Sequence, residues 1–470
     1  MTASIGSILS NARSAMAASQ AAINTTTHNI ANAQTEGYSR KRVELVTGVP
    51  AMMPYGELGT GVRIQDIGRV RDRLLDVTFR NQTTNASAYN RRGELLSQIE
   101  SLYGEPSASG LSSSLDVLWN SWADLGNDPQ NDAARMVTRQ AGQNVANQLE
   151  RLAGGLDQLR ETSDLRLRQE VGELNQYTAQ VAALNQQIVA AESSGQTAGD
   201  LRDARDRAID AIASIATVTV LERSDGSAAV IAGDATLVDG NDSQTLGVDT
   251  TGGTYRLVSA RGTVVSAPGG STGATMAVLN TDIPAAMTEL DAIAQALVSS
   301  VNALHTTGMS PDGQTGINFF DDLGDVTTVT ARNLKLSDEV LADHRAIAAG
   351  AGVLDTSTGT IVYAAGANDV ATGLATLRDD PLAALGNRSI GAYYSTAVTR
   401  VGTDVRAAVD TAAVNETLAS QADIRRQSVS GVSIDEELVQ LIRFQNAYAA
   451  AARVITAADE LFATVIDMMR

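Results

Sequence analysis

Both ends of the chain carry apolar and small residues spaced alternately four and three apart, and this spacing restricts the fold more than any other feature. At the N-terminus the stripe runs Ile5, Leu9, Ala12, Met16, Ser19, Ile23, Thr26 and Ile30. At the C-terminus it runs Leu441, Gln445, Tyr448, Ala452, Ile455, Asp459, Phe462, Ile466 and Met469. Alternating four and three is the seam of a coiled coil, which needs another helix laid against it. Three of the eight N-terminal positions are Ala, Ser or Thr, too little apolar surface for that helix to stand alone. Ser433 with Glu436 three residues on reads as a capping box, and acids fill the first turn of the C-terminal helix. Two terminal helices are therefore expected to pack on each other or on neighbouring subunits.

Between them the pattern is mostly helical. Helices are predicted over Arg69–Gly104, Ser113–Pro129 and, with a weak break at Gly154-Gly155, Asp132–Glu192. Another covers "GDLRDARDRAIDAIASIATV". The period then changes from helical to alternating, with Asp225-Gly226 as a hairpin turn, and β character lasts to about Pro268. Helical periodicity returns from about Ala274 to His305 and again from Ser389 to Arg426. Gly308–Ala384 is rich in Gly, Asp and Thr and shows no long period. The fold expected is mainly α, a long helical bundle or coiled coil formed by both termini with a small β-rich insert. Residues 1–62 and 433–470 then form a terminal assembly domain, and 63–217, 274–307 and 386–432 a helical rod. Residues 218–273 form the β-rich insert, and 308–385 a loop-rich outer insert.

Composition narrows the chemistry. The 470 residues include no cysteine, so no disulfide frame and no thiolate metal site can form. Aromatics make up only 4%, and small apolar residues suit closely packed helices. The net charge of −19 is unevenly spread: Val220–Asp380 holds 20 acids against 7 bases, whereas Met1–Glu100 holds 8 against 11. The acidic middle argues against nucleic-acid binding and for a solvated exterior. No stretch is apolar for the ~18 residues a membrane span needs, and the N-terminus lacks the basic and apolar regions of a Sec signal. His28, His305 and His344 form no HExxH or helical pair, so no zinc site is expected. "APGGSTGATMAV" lacks the Lys-Ser/Thr of a phosphate loop, "DGNDSQ" lacks the twelfth-position Glu of a calcium loop, and "SPDGQTG" is turn chemistry. Paired acids such as Asp321-Asp322 and Asp379-Asp380 stand without partners that would mark them as catalytic. Neither an active site nor a cofactor is expected.

The segment "NIANAQTEGYSRKRVEL" ends the first helix and resembles the N-terminal signature of flagellar axial proteins, the rod, hook and hook-associated proteins. Asn29, Ile30, Ala31, Asn32, Gly37 and Tyr38 occupy the matching positions. The family often has Pro where this chain has Glu36, which leaves the turn less rigid. Locally, Asn can cap a helix end, Gly37 permits positive φ, and Tyr38 can anchor the turn. The C-terminal "SGVSIDEELVQLIRFQNAYAAAARVITAADELFATVIDMM" is similar to the branch of that family that builds the junction between hook and filament. "NDPQNDAAR", "DLRDARD", "DGSAAVIAGDATLV" and "VNALHTTGMSPDGQTGINFF" look like internal segments of the same branch.

The resemblance implies a secreted structural protein of the extracellular bacterial flagellum. It would be exported unfolded through the type III apparatus without a cleaved signal, and would polymerise at the hook tip to support the filament. Implied partners are copies of itself in a ring, hook protein, hook-associated protein 3, the export apparatus, and an export chaperone on the C-terminal helix. No nucleic acid and no membrane insertion are expected. Subunit packing would fall to Ile5, Leu9, Met16, Ile23, Asn29, Ile30, Asn32, Gly37, Tyr38, Leu441, Tyr448, Ile455, Phe462 and Ile466. The alternatives are hook-associated protein 3 itself, a hook or rod protein, or an exported hydrolase with flagellar-like ends, which would need a catalytic module in Gly308–Ala384.

Overall fold

The computed structural model describes residues 2–53, 56–193, 195–266 and 268–468, without the side chains of residues 2–5 and 53. The chain is mainly α, with small antiparallel sheets. Helix α1 (Thr2–Ala31) is followed by a β ribbon. Its long strands, β1 (Lys41–Thr47) and β4 (Val62–Arg69), pair antiparallel, and its tip is a hairpin of β2 (Ala51–Met53) and β3 (Gly56–Leu58). Helices α2 (Arg73–Tyr103), α3 (Leu111–Asn127), α4 (Asp132–Glu192) and α5 (Gly199–Ile215) follow.

Two expectations need correcting here. The helix expected over Arg69–Gly104 starts only after Asp72, whose carboxylate caps Leu74 N–H, and Arg69 ends strand β4. Nor does Gly154-Gly155 interrupt α4, which runs on for 61 residues. A Cβ on Gly155 would lie 2.7 Å from Leu102 Cδ2, so the glycine admits a close approach of α2.

Strands β5 (Val218–Glu222), β6 (Ala228–Ala232), β7 (Ala235–Asp239) and β8 (Asp242–Ser243) form an antiparallel meander; β9 (Leu246–Asp249), β10 (Arg256–Ser259) and β11 (Val264–Val265) form a second. Both sheets are tied to α4 by amide side chains. Asn185 bonds Ala228 and Gly240, and Asn175 bonds both the N–H and the C=O of Leu246. Helix α6 (Gly270–Ala277) passes through a π turn, Val278–Asp282, into α7 (Ile283–His305). Residues 308–385 hold α8 (Asp338–Ala342), a hairpin of β12 (Val353–Asp355) and β13 (Thr360–Val362), and α9 (Asp369–Thr376). Despite their lack of period they bury Phe319, Phe320, Leu336 and Leu374 in the same core as α3, α4 and α7.

The chain closes with α10 (Ile390–Ser430) and α11 (Ile434–Met468), separated at Gly431–Ser433. Along α10 the buried residues Ile390, Tyr394, Ala397, Val401, Val405, Ala408 and Ala412 make one stripe against α2. The core of this body is built from large side chains with no exposure, among them Trp122, Leu118, Leu149 and Ile293.

Candidate assembly site

Helices α1 and α11 pack side by side and antiparallel, since the end of α1 meets the start of α11, where Asn29 Nδ2 donates to Glu437 Oε2 at 3.0 Å. Along α1 the buried residues are Ala12, Ala18, Ser19, Ala22, Thr25, Thr26 and Asn29. The small members of the predicted stripe thus face inward, while Leu9, Met16, Ile23 and Ile30 are half-buried at its margin. The side chain of Ile5 lies outside the described residues, as does Met469.

Along α11, Leu441, Tyr448, Ile455 and Phe462 are half-buried on the seam. The spacing predicted Gln445, Ala452, Asp459 and Ile466 at the alternate positions; the residue before each fills that place instead. Glu437, Phe444, Ala451, Ala458 and Val465 are spaced by sevens toward α1, whereas Asp459 is exposed and Ile466 is 60% exposed. This register keeps the Asp459 carboxylate in water. A signal was present in the sequence: from residue 444 on, these positions include no polar residue, whereas the stripe one residue later contains Gln and Asp.

The turn after α1 is organised around Asn29, which is 1% exposed and uses its full hydrogen-bonding capacity. Its Nδ2 donates to Lys41 O (2.9 Å) and Glu437 Oε2 (3.0 Å); its Oδ1 accepts from Tyr38 O–H (2.7 Å) and Lys41 N–H (3.0 Å). One amide thereby ties α1, the turn, β1 and α11 together. Asn32 Nδ2 returns to His28 O at 3.0 Å, and Gly37 stands at φ 70°, with the side chain of Arg207 where its Cβ would be. Burial, with Asp200, Asp203 and Glu437 nearby, pushes the Tyr38 phenol well up, so it keeps its proton. His28 Nδ1 sits 2.9 Å from Tyr38 Oη. Arg40 N–H donates to Ser430 O at 2.8 Å and Arg40 Nη1 to Glu436 Oε2 at 3.0 Å, so the turn also holds the break between α10 and α11.

Beneath this turn lies a charge network that sequence reasoning did not find. Arg69 bonds Asp203 (2.7 Å) and Asp206 (2.8 Å); Arg71 bonds Asp76 (2.6 Å) and Asp206 (2.9 Å); Arg80 and Arg426 both bond Asp210 at 2.6 Å. Asp203 also accepts from the Ser39 N–H at 3.1 Å and from its hydroxyl. Burial alone would raise the Asp206 carboxyl, but Arg71, Arg69 and Arg80 outweigh it and hold it down at about 2. The visible signal was acids at 203, 206 and 210 on one face of α5, within and just after "DLRDARD". Their partners lie far away in the chain, so no local spacing reveals them. Above the network, residues 33–40, Arg207 and the end of α10 line an open cleft of about 840 Å³.

The chemical candidates resolve into structural roles. His305 is buried beside Trp122 and Phe319; its Nδ1 bonds Ile317 O (2.7 Å) and its Nε2 accepts from Ala348 N–H (3.0 Å). Burial holds its imidazole down at about 4, offset only in part by the Ile317 bond. Gly269 and Gly270 have φ of 62° and 57° and let α6 start against the backbone of Ile215 and Ala216. Asp239 ends β7 and Asp242 begins β8, paired across the turn between them. Among the described residues no group of three or more His, Cys, Asp or Glu converges as a metal would require.

Comparison with known proteins follows the same division of the chain. Residues 96–320 match the family model of the flagellar hook-associated protein FlgK helical domain, 9–38 that of flagella basal body rod protein, and 426–468 that of the flagellar basal body rod FlgEFG protein C-terminal region. Flagellar hook-associated protein 1 of Bacillus subtilis is 31% identical over 98% of each chain. That of Salmonella typhimurium is 24% identical, covering 99% of this chain and 100% of its own. A solved structure, the flagellar hook junction protein FlgK from Burkholderia pseudomallei, has the same fold at a TM-score of 0.66 and 17% identity, over 75% of this chain and 100% of that one.

Proposed function

Because the chain belongs to the flagellar hook-associated protein 1 family and is a structural subunit of the hook–filament junction, we propose that it polymerises as a ring at the hook tip and supports the filament there. The observation that carries this reading is the contrast within the terminal pair. Its small residues are buried between the helices, yet Leu438, Val439, Ile442, Val454 and Leu461 are 44–64% exposed along α11. That much apolar surface on one helix suits neighbouring subunits better than water.

On this reading α1 and α11 form the inner tube, α2–α7 and α10 the middle shell, and the acidic β meanders and 308–385 the exterior. Flagellar axial proteins assemble with other flagellar components. The partners proposed for this chain are its own copies, hook protein, hook-associated protein 3, the type III export apparatus and an export chaperone on α11. It works outside the cell, as a scaffold and not an enzyme.

In a strain lacking the gene, electron microscopy should show hooks without filaments and flagellin in the medium. Complementation with Ile442→Asp should give a secreted chain whose monomer unfolds normally but whose hooks stay bare. Filaments in normal number on either strain would overturn the reading.

A further inference from the structure

An open slot of about 900 Å³ runs between the ribbon and the terminal helix pair. One wall is the ribbon face with Val43 and Leu45; the other is α1 at Ala18 and Ala22, with Phe444 of α11. The walls mix these apolar side chains with polar ones, Glu44 and Glu437 among them, and the bases of the lining outnumber its acids. Two exposed guanidiniums, Arg42 and Arg443, border the slot and have no ion-pair partner among the described residues.

The far end of α11 carries the complement. Val454, Leu461 and Met468 are seven apart and 44%, 51% and 73% exposed. Glu460 and Asp467 stand in the adjacent row, exposed and without an ion-pair partner among the described residues. Seven residues is about two turns, so each row runs straight along the helix with members roughly 10 Å apart. Arg443 and Glu460 are separated by roughly 25 Å on the same helix. A slot and a complement at different places on one molecule can join copies head to tail, as a ring or helix requires; a two-fold pair would use each of them once and stop at the dimer.

We propose that Leu461 and Met468 of one copy enter the slot of the next, and that Glu460 and Asp467 pair there with Arg42 and Arg443. This contact rests on the assembly reading above and gives it a direction, the far end of one α11 in the slot of the next copy. Its polar margin makes it register-specific, since a like-charged contact would repel.

The absence of native cysteine makes a direct test available. Hooks isolated from cells carrying Arg443→Cys with Glu460→Cys, oxidised mildly, should yield a disulfide ladder at multiples of the 49.0 kDa chain. Each single variant should stay at the monomer position. A monomer band alone, from hooks that contain the protein in normal amount, would overturn the slot contact while leaving junction assembly intact. Should the double-cysteine chain not reach hooks, charge exchange decides. Arg42→Glu with Arg443→Glu should cut filament-bearing cells at least tenfold with secretion unchanged, and adding Glu460→Arg with Asp467→Arg should restore them. Failure of the four-fold variant to restore filaments, with its circular dichroism unchanged, would overturn the pairing.

Discussion

The helical body and the terminal pair are both packed helices, yet they are finished to different degrees. In the body, Trp122, Leu118 and Leu149 have no exposure at all. Each such side chain contributes ~1.5–3 kcal/mol on burial. In the pair the buried apolar residues are Ala12, Ala18, Ala22, Ala451 and Ala458, worth a fraction of that each, and the large side chains stay at the margin. The body is therefore complete within one chain, whereas the pair leaves apolar surface uncovered that the proposed assembly would bury. The links between them include polar ones, Ser39 on Asp203, Arg40 on Ser430 and the Arg–Asp network at α5.

The sharpest way to break this contrast is to attack the body. Trp122→Ala removes a ring packed edge-on to Phe319 and His305, and its indole N–H has no hydrogen-bond partner among the described residues. The expected cost is about 3–5 kcal/mol of unfolding free energy, measured in urea. A cost below about 1 kcal/mol would mean the body is not the stable part.

Acid should distinguish the two regions next. His305 is held neutral in the fold, down at about 4 against roughly 6.5 when unfolded. Its contribution is fully present above 6.5 and is lost as pH falls, amounting to about 3 kcal/mol by pH 4. Asp206, held at about 2, keeps its contribution over that window and loses it only below roughly 4. Urea titrations at pH 7 and 4.5 should show the body weakening, and His305→Gln should flatten the difference.

At the joint, Gly37→Val forces a β-branched residue to positive φ and drives its Cβ into the side chain of Arg207. A local cost of about 2 kcal/mol is expected. Hydrogen exchange of residues 33–40 should quicken while the melting of the body holds. The smallest effect belongs to His28→Gln, which alters an exposed side chain hydrogen-bonded to Tyr38. Stability should move by less than about 0.5 kcal/mol and filament counts should not change. Loss of filaments from that variant alone would restore a chemical role to the histidine.

Local spacing made the terminal helices, the long α4 and the β meanders legible, because each carries its own period. Which alanine of Ala451-Ala452 faces the seam was decided by the neighbouring turns, where Phe444 and Ala458 fit and Gln445 and Asp459 do not. The ribbon was hidden because "VRIQDIGRVRDR" alternates for one strand and then passes into α2 with no Gly-Pro boundary. Residues 308–385 bury their apolar side chains one or two at a time, in turns, so their membership of the core has no periodic trace. The joint was the least legible: Arg69 reaches acids 134 and 137 positions away, Arg426 one 216 away, and nothing local announces such pairs.

The unbroken α4 has a mechanical consequence. Its 61 residues extend roughly 90 Å, and tertiary contacts grip it from Arg135 to Ile188. A beam of that length, supported along its span, carries load without yielding in the middle. Compliance under torque is then expected at breaks between helices, such as Gly431–Ser433 between α10 and α11, where Arg426 on Asp210 braces the end of α10.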